Sequence, residues 1–101
     1  MSITVQIHGP IASIILSGGI DYSTQEEFRE ANQRALSAKQ VREIHLDFAN
    51  VAFMDSSGIR ALLILQKQAE EKGISLVVFN CSRSILEIFE IGGFDQMFTI
   101  R

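Results

Sequence analysis

The sequence has one cysteine, one proline and no tryptophan among its 101 residues. A lone Cys81 excludes an internal disulfide and fits a reducing compartment. The two histidines, His8 and His45, lie far apart, so no clustered ligand set for a metal is expected. Gly18-Gly19 and Gly92-Gly93 lack the lysine and the spacing of a phosphate-binding loop, and no cofactor is expected. Nine Lys and Arg stand against twelve Asp and Glu, for a net charge of -3. The basic residues are scattered, which excludes the electrostatic footprint of a nucleic-acid binder. No apolar run approaches the roughly 18 residues that cross a membrane. Met1-Ser2-Ile3-Thr4-Val5 lacks the charged start of a secretory signal. The expectation is a cytoplasmic protein with no direct membrane insertion.

What is present is a real core: 47% of the residues are hydrophobic. Without linkers, repeats or low-complexity stretches, residues 1–101 read as one small domain. Ile3–Ile7 alternates apolar and polar residues, the period of a half-buried strand. Ile11–Ser17 reads as a second strand, joined to the first by the turn His8-Gly9-Pro10 in an antiparallel hairpin. Gly18-Gly19-Ile20-Asp21-Tyr22 is expected to break that strand, and Asp21 reads first as the acceptor of a turn or cap. Thr24-Gln25-Glu26-Glu27 has capping-box spacing before a helix that places Phe28, Ala31, Ala35 and Leu36 on one face. Val41–Phe48 alternates again as a third strand, and Ala49–Met54 is expected to be an apolar loop. A helix over Ser57–Lys72 stops at Gly73. Ile74–Phe79 is a short, nearly continuous apolar strand. Ser82 caps a helix that ends at Gly92-Gly93, and Phe94–Ile100 closes the chain as a last short strand. The order β-β-α-β-α-β-α-β predicts an α/β fold: a mixed, mostly parallel sheet with helices packed on it.

The chemistry of interest gathers at Asp55-Ser56-Ser57-Gly58, where the apolar segment meets the best helix of the sequence. A helix N-terminus has unpaired N–H groups and a partial positive charge. Asp and Ser are good caps for it, and an added phosphate would be electrostatically welcome there. Spacing alone leaves both uses open. On a helical wheel Ala61, Leu62, Leu65 and Ala69 form a core face, with Arg60, Lys67 and Glu71 opposite. Leu63 and Ile64 fall among the charges. Either the sheet covers more than half of this helix and buries both, or they form an exposed apolar patch for a partner.

Nucleophilic catalysis would need a base near Ser56 or Cys81, and neither histidine has a spacing that points to one. Cys81 reads as a small filler. No enzyme is expected.

These residues resemble the STAS domain family, in particular the stand-alone bacterial anti-sigma factor antagonists, over essentially the whole chain. Phe53-Met54-Asp55-Ser56-Ser57-Gly58-Ile59 is similar to the family's phosphorylation motif. Gly18-Gly19-Ile20-Asp21 is similar to its Gly-Glu-Leu-Asp, with Gly19 where Glu is usual. Ser82–Phe94 is similar to its last amphipathic helix and glycine turn. The resemblance implies a STAS fold and a partner that is both anti-sigma factor and serine kinase. The unphosphorylated domain would sequester that partner and free a sigma factor. Phosphorylation of Ser56 would end binding, and a PP2C-type phosphatase would restore it. Asp21, Asp55, Ser57, Gly58, Arg60, Leu63, Ile64 and Lys67 would then form the partner surface around Ser56. A different use of the same fold is a STAS subunit of a membrane transport assembly, as in lipid-trafficking ABC systems, without regulatory phosphorylation.

Overall fold

The computed structural model describes residues Met1–Arg101. The elements run β1 (Ser2–His8), β2 (Ile11–Ile20), α1 (Gln25–Ser37), β3 (Glu43–Met54), α2 (Ser56–Glu71), β4 (Ser75–Phe79), α3 (Arg83–Ile91) and β5 (Thr99–Ile100). They form one five-stranded sheet in the order β1-β2-β3-β4-β5. The hairpin β1–β2 is antiparallel and every other pair is parallel. Each strand is laid beside the one before it, so three successive right-handed crossovers place all three helices on one face.

That face is the core. Ala12, Ile14 and Leu16 of β2, Ile44, Leu46 and Phe48 of β3, and Leu76 and Val78 of β4 are buried at alternate positions. Against them pack Phe28, Ala31, Ala35 and Leu36 of α1, Leu62, Leu65 and Ala69 of α2, and Ile85 and Phe89 of α3. Burying this apolar surface, at about 25 cal/mol per Å², is the main force that holds the layers together. The opposite face of the sheet carries Gln6, Ser13, Ile15, His45, Asp47 and Phe79 around a shallow depression.

Three local departures from the pattern reading all lie near the C-terminal ends of β2 and β3. The glycine pair does not break β2, which runs on to Ile20. Ala49–Met54 is not a loop but the second half of β3, with Val51, Phe53 and Met54 paired to Gly18, Gly19 and Ile20. Register shifts between Ile15 and Ser17 and between Gly18 and Gly19 spoil the strict alternation that would reveal a strand. The capping box at Thr24 does not form. The Thr24 hydroxyl instead donates to the Gly19 carbonyl (2.9 Å) and accepts from the Asp21 N–H (3.0 Å). The last strand is also shorter than expected, reduced to Thr99–Ile100.

Candidate functional site

The extended β2 and β3 end side by side at Ile20 and Met54, and α2 starts two residues later. Asp55 is the N-cap, in extended conformation. Its Oδ1 accepts from the N–H groups of Ser57 (2.9 Å) and Gly58 (3.1 Å). Its carbonyl accepts from Ile59 N–H (3.0 Å). Its Oδ2 accepts from Tyr22 N–H (3.3 Å), and its own N–H donates to the Ile20 carbonyl (3.2 Å). One aspartate therefore caps α2 and ties it to the loop that leads into α1.

Gly58 is buried where the first turn of α2 meets the ends of β2 and β3. A Cβ there would stand 2.4 Å from the Ile20 carbonyl oxygen and 2.6 Å from Met54 Cγ. Only glycine admits this approach.

Asp21 sits in the neighbouring loop, and its Oδ1 accepts from Ser23 N–H (2.9 Å), Ser23 Oγ (2.7 Å) and Thr24 N–H (3.1 Å). The Ser23 hydroxyl bond is the largest cause holding this carboxyl below its ordinary 3.8; partial desolvation opposes it and bonds from Thr24 assist. Asp21 thus builds the turn into α1 and sets the place of Tyr22.

The two serines separate. Ser56 is exposed and its hydroxyl makes no hydrogen bond, whereas Ser57 is half-buried. Ser56 lies on the rim of an open groove of about 430 Å³ between α2 and α3, lined by Met54, Ile59, Leu63, Ile88 and Phe94, with Asp55 and Arg60 its charged members. Leu63 and Ile64 separate as well. Leu63 is half-buried against the core and floors the groove, while Ile64 is 43% exposed on the side facing α1. Arg60 and Lys67 are exposed and make no ion pair. The structure therefore brings Ser56, Asp55, Arg60 and Leu63 to one groove, puts Asp21 beside it, and leaves Ile64 and Lys67 farther along the helix.

Pattern reading missed the share of α3 and of the aromatic rim. Ile88 and Phe94 line the groove, and Ile91 at the end of α3 is 87% exposed. Tyr22 and Phe53, both exposed, flank Asp55 along the chain and through its bond to Tyr22. The available signal was their position: bulky apolar residues at the C-terminal ends of parallel strands, where α/β sheets bind ligands.

The STAS domain family model matches residues 2–101. The chain belongs to the STAS family. A STAS-domain containing protein of Pseudomonas aeruginosa is 30% identical over 92 residues, which cover 91% of this chain and 89% of that protein. The anti-sigma F factor antagonist of Paenibacillus polymyxa is 26% identical over 100 residues, covering 99% of this chain and 86% of the relative. The fold matches that of the anti-sigma factor antagonist SpoIIAA at 22% identity. The TM-score is 0.76 for its unphosphorylated form and 0.75 for its phosphorylated form, each covering 99% of this STAS chain and 87% and 91% of the other. No helix of this STAS domain is long and apolar enough to cross a membrane.

Proposed function

We propose that this STAS domain is an anti-sigma factor antagonist whose binding is switched at Ser56. The observation that carries the reading is the division of labour at the start of α2: Asp55 holds the cap and leaves the Ser56 hydroxyl exposed and uncommitted beside an apolar groove. The family match and the relatives' names support an anti-sigma factor as the class of partner, and the resemblance of the Ser56 motif to a phosphorylation motif adds that this partner is also a serine kinase. The unphosphorylated domain sequesters that partner in the cytoplasm and frees a sigma factor. The domain is a binding module, and the chemistry belongs to its partners. The kinase transfers the γ-phosphoryl group of ATP to Ser56 Oγ, and ADP and the hydroxyl proton leave. A PP2C-type phosphatase hydrolyses the ester with water and restores serine and inorganic phosphate.

The magnitudes suit a switch that leaves the fold alone. A phosphate brings a charge of about -1.5 to -2. Each acidic group about 5 Å away at an effective dielectric near 20 opposes it by about 3 kcal/mol before solvent relaxation. Even 2 kcal/mol is about 30-fold in affinity. The nearest fixed acid is Asp55, and an acid on the partner would add to it.

The test compares wild type, Ser56→Ala and Ser56→Asp for binding to the cognate kinase and for phosphate incorporation. The alanine variant is expected to bind and to take no phosphate, and the aspartate variant to bind at least tenfold more weakly. Equal binding by all three overturns the proposal.

A further inference from the structure

The start of α2 has few free donors for a phosphate. Asp55 already occupies the N–H groups of Ser57 and Gly58 with its carboxylate and that of Ile59 with its carbonyl. Its carboxylate is also the acid nearest in sequence to Ser56. The general affinity of a helix N-terminus for anions is therefore largely spent on the cap, and a phosphate on Ser56 needs another cation.

Arg60 is placed to supply it. It lies four residues after Ser56 on the same helix, so the two Cβ atoms are about 5–6 Å apart on one face. Both line the same groove, where Asp55 and Arg60 are the only charged residues. The guanidinium makes no ion pair and no hydrogen bond, although the domain's other arginines include two, Arg29 and Arg83, that pair with glutamates within one turn of their own helices. An i, i+4 pair with the acid N-terminal to the base is the favoured orientation on a helix. A guanidinium bonds a phosphate through two parallel N–H groups, which a lone amide cannot do.

We infer that Arg60 is an intramolecular clamp for the phosphorylated Ser56 side chain. The inference rests on the proposed phosphorylation of that serine and deepens it. In the unmodified protein Arg60 is a free cation on the rim of the groove, available to an acidic group of the partner. In the phosphorylated protein it turns back by one helical turn onto the phosphate. One modification then does two things: it adds negative charge at the rim and withdraws the positive charge that stood there. The net charge of the surface changes by the charge of the phosphate, and the loss of a directed cation adds to that change and accounts for part of the loss of binding.

The experiment uses the full chain with phosphoserine installed at position 56 during translation, so that it needs no kinase. Phosphorus NMR follows the second ionisation of the phosphate, ordinarily near 6, in the parent and in Arg60→Gln. The clamp predicts a midpoint about 0.5 unit lower in the parent than in Arg60→Gln, with Arg60→Lys between them. A second readout is the Arg60 Nε–H signal in nitrogen-15 spectra, which is expected to move downfield in the phosphorylated parent and to stay in place in Ser56→Ala. Thermal melts of each variant show that it is folded. Equal midpoints in parent and Arg60→Gln overturn the clamp. A lowered midpoint with an unmoved Arg60 signal also overturns it, in favour of long-range attraction. Absence of phosphate on Ser56 in the native cell would sink the proposed switch and leave these chemical results standing.

Discussion

A Cβ on Gly58 would stand 2.4 Å from the carbonyl oxygen of Ile20, the same oxygen that accepts the Asp55 N–H. The first turn of α2 is therefore pressed against the backbone of β2, and the height of Ser56 above the sheet depends on that contact. Gly58→Ala gains about 1 kcal/mol of helix propensity. It also forces a methyl group into a carbonyl that cannot yield, an overpacking that costs about 1–3 kcal/mol. The clash wins because its partner is backbone. The expected result is a melting temperature several degrees below wild type.

Gly19 makes an instructive contrast. A Cβ there would lie 2.4 Å from Phe53 Cζ, but that ring is half exposed and can swing into solvent. Gly19→Ala is expected to cost under about 1 kcal/mol, and Phe53→Ala in the same chain to remove the clash. Urea unfolding of the two glycine variants, side by side, checks the ranking; a larger loss in Gly19→Ala than in Gly58→Ala would refute it.

The cap gives a second, independent handle on the site. Asp55→Ala removes the acceptor for Ser57, Gly58 and Tyr22 and is expected to cost about 1 kcal/mol, within the 0.5–2 range of cap losses. Asp55→Asn keeps an oxygen of the same reach and is expected to lose only a few tenths. Chemical denaturation of both variants decides it, and equal losses would show that the carboxylate charge, not its geometry, matters.

How much of this was legible in the sequence follows from the range of each interaction. The core face of α2 was readable because Leu62, Leu65 and Ala69 repeat at helical period, and all three are buried. Its neighbour Ala61 is only half-buried, since it borders the cleft toward α1. The second half of β3 was hidden by register shifts that scramble the alternation. The fates of Leu63 and Ile64 could not be separated from α2 alone: one packs toward α3 and the other faces α1. The bond between Tyr22 and Asp55 spans 33 residues and leaves no local pattern. Thr24 had the right spacing for a cap, but Asp21, three residues earlier, offered a closer set of bonds.

Asp21 predicts the acid limb of the stability curve. Its carboxyl is held below the ordinary 3.8, chiefly by the Ser23 hydroxyl bond; desolvation opposes this, and the bonds from Thr24 and from the Ser23 N–H assist it. A folded-state value below the unfolded one means that the unfolded chain binds the extra proton. The contribution is complete above pH 3.8 and is lost as pH falls through the lower folded value. Melting temperatures measured below pH 4 should therefore fall more steeply in wild type than in Asp21→Asn, which does not titrate. Parallel curves in that range would show that the turn does not bind the carboxylate preferentially.

Cys81 works in the opposite direction. Burial pushes its thiol up from an ordinary 9.0 to about 11. The thiolate is the nucleophile, so at pH 8 the folded protein presents roughly a hundredfold less of it than the unfolded chain. Alkylation by iodoacetamide is expected to be about 100-fold slower in buffer than in urea. Between pH 9 and 11 the folded state holds a proton that the unfolded state has released, so stability declines as pH rises through that window. Cys81→Ala removes this slope and leaves the alkaline melt flatter. Native alkylation as fast as in urea would mean that the thiol is open to solvent, and would return Cys81 to the set of reactive candidates near the start of α3.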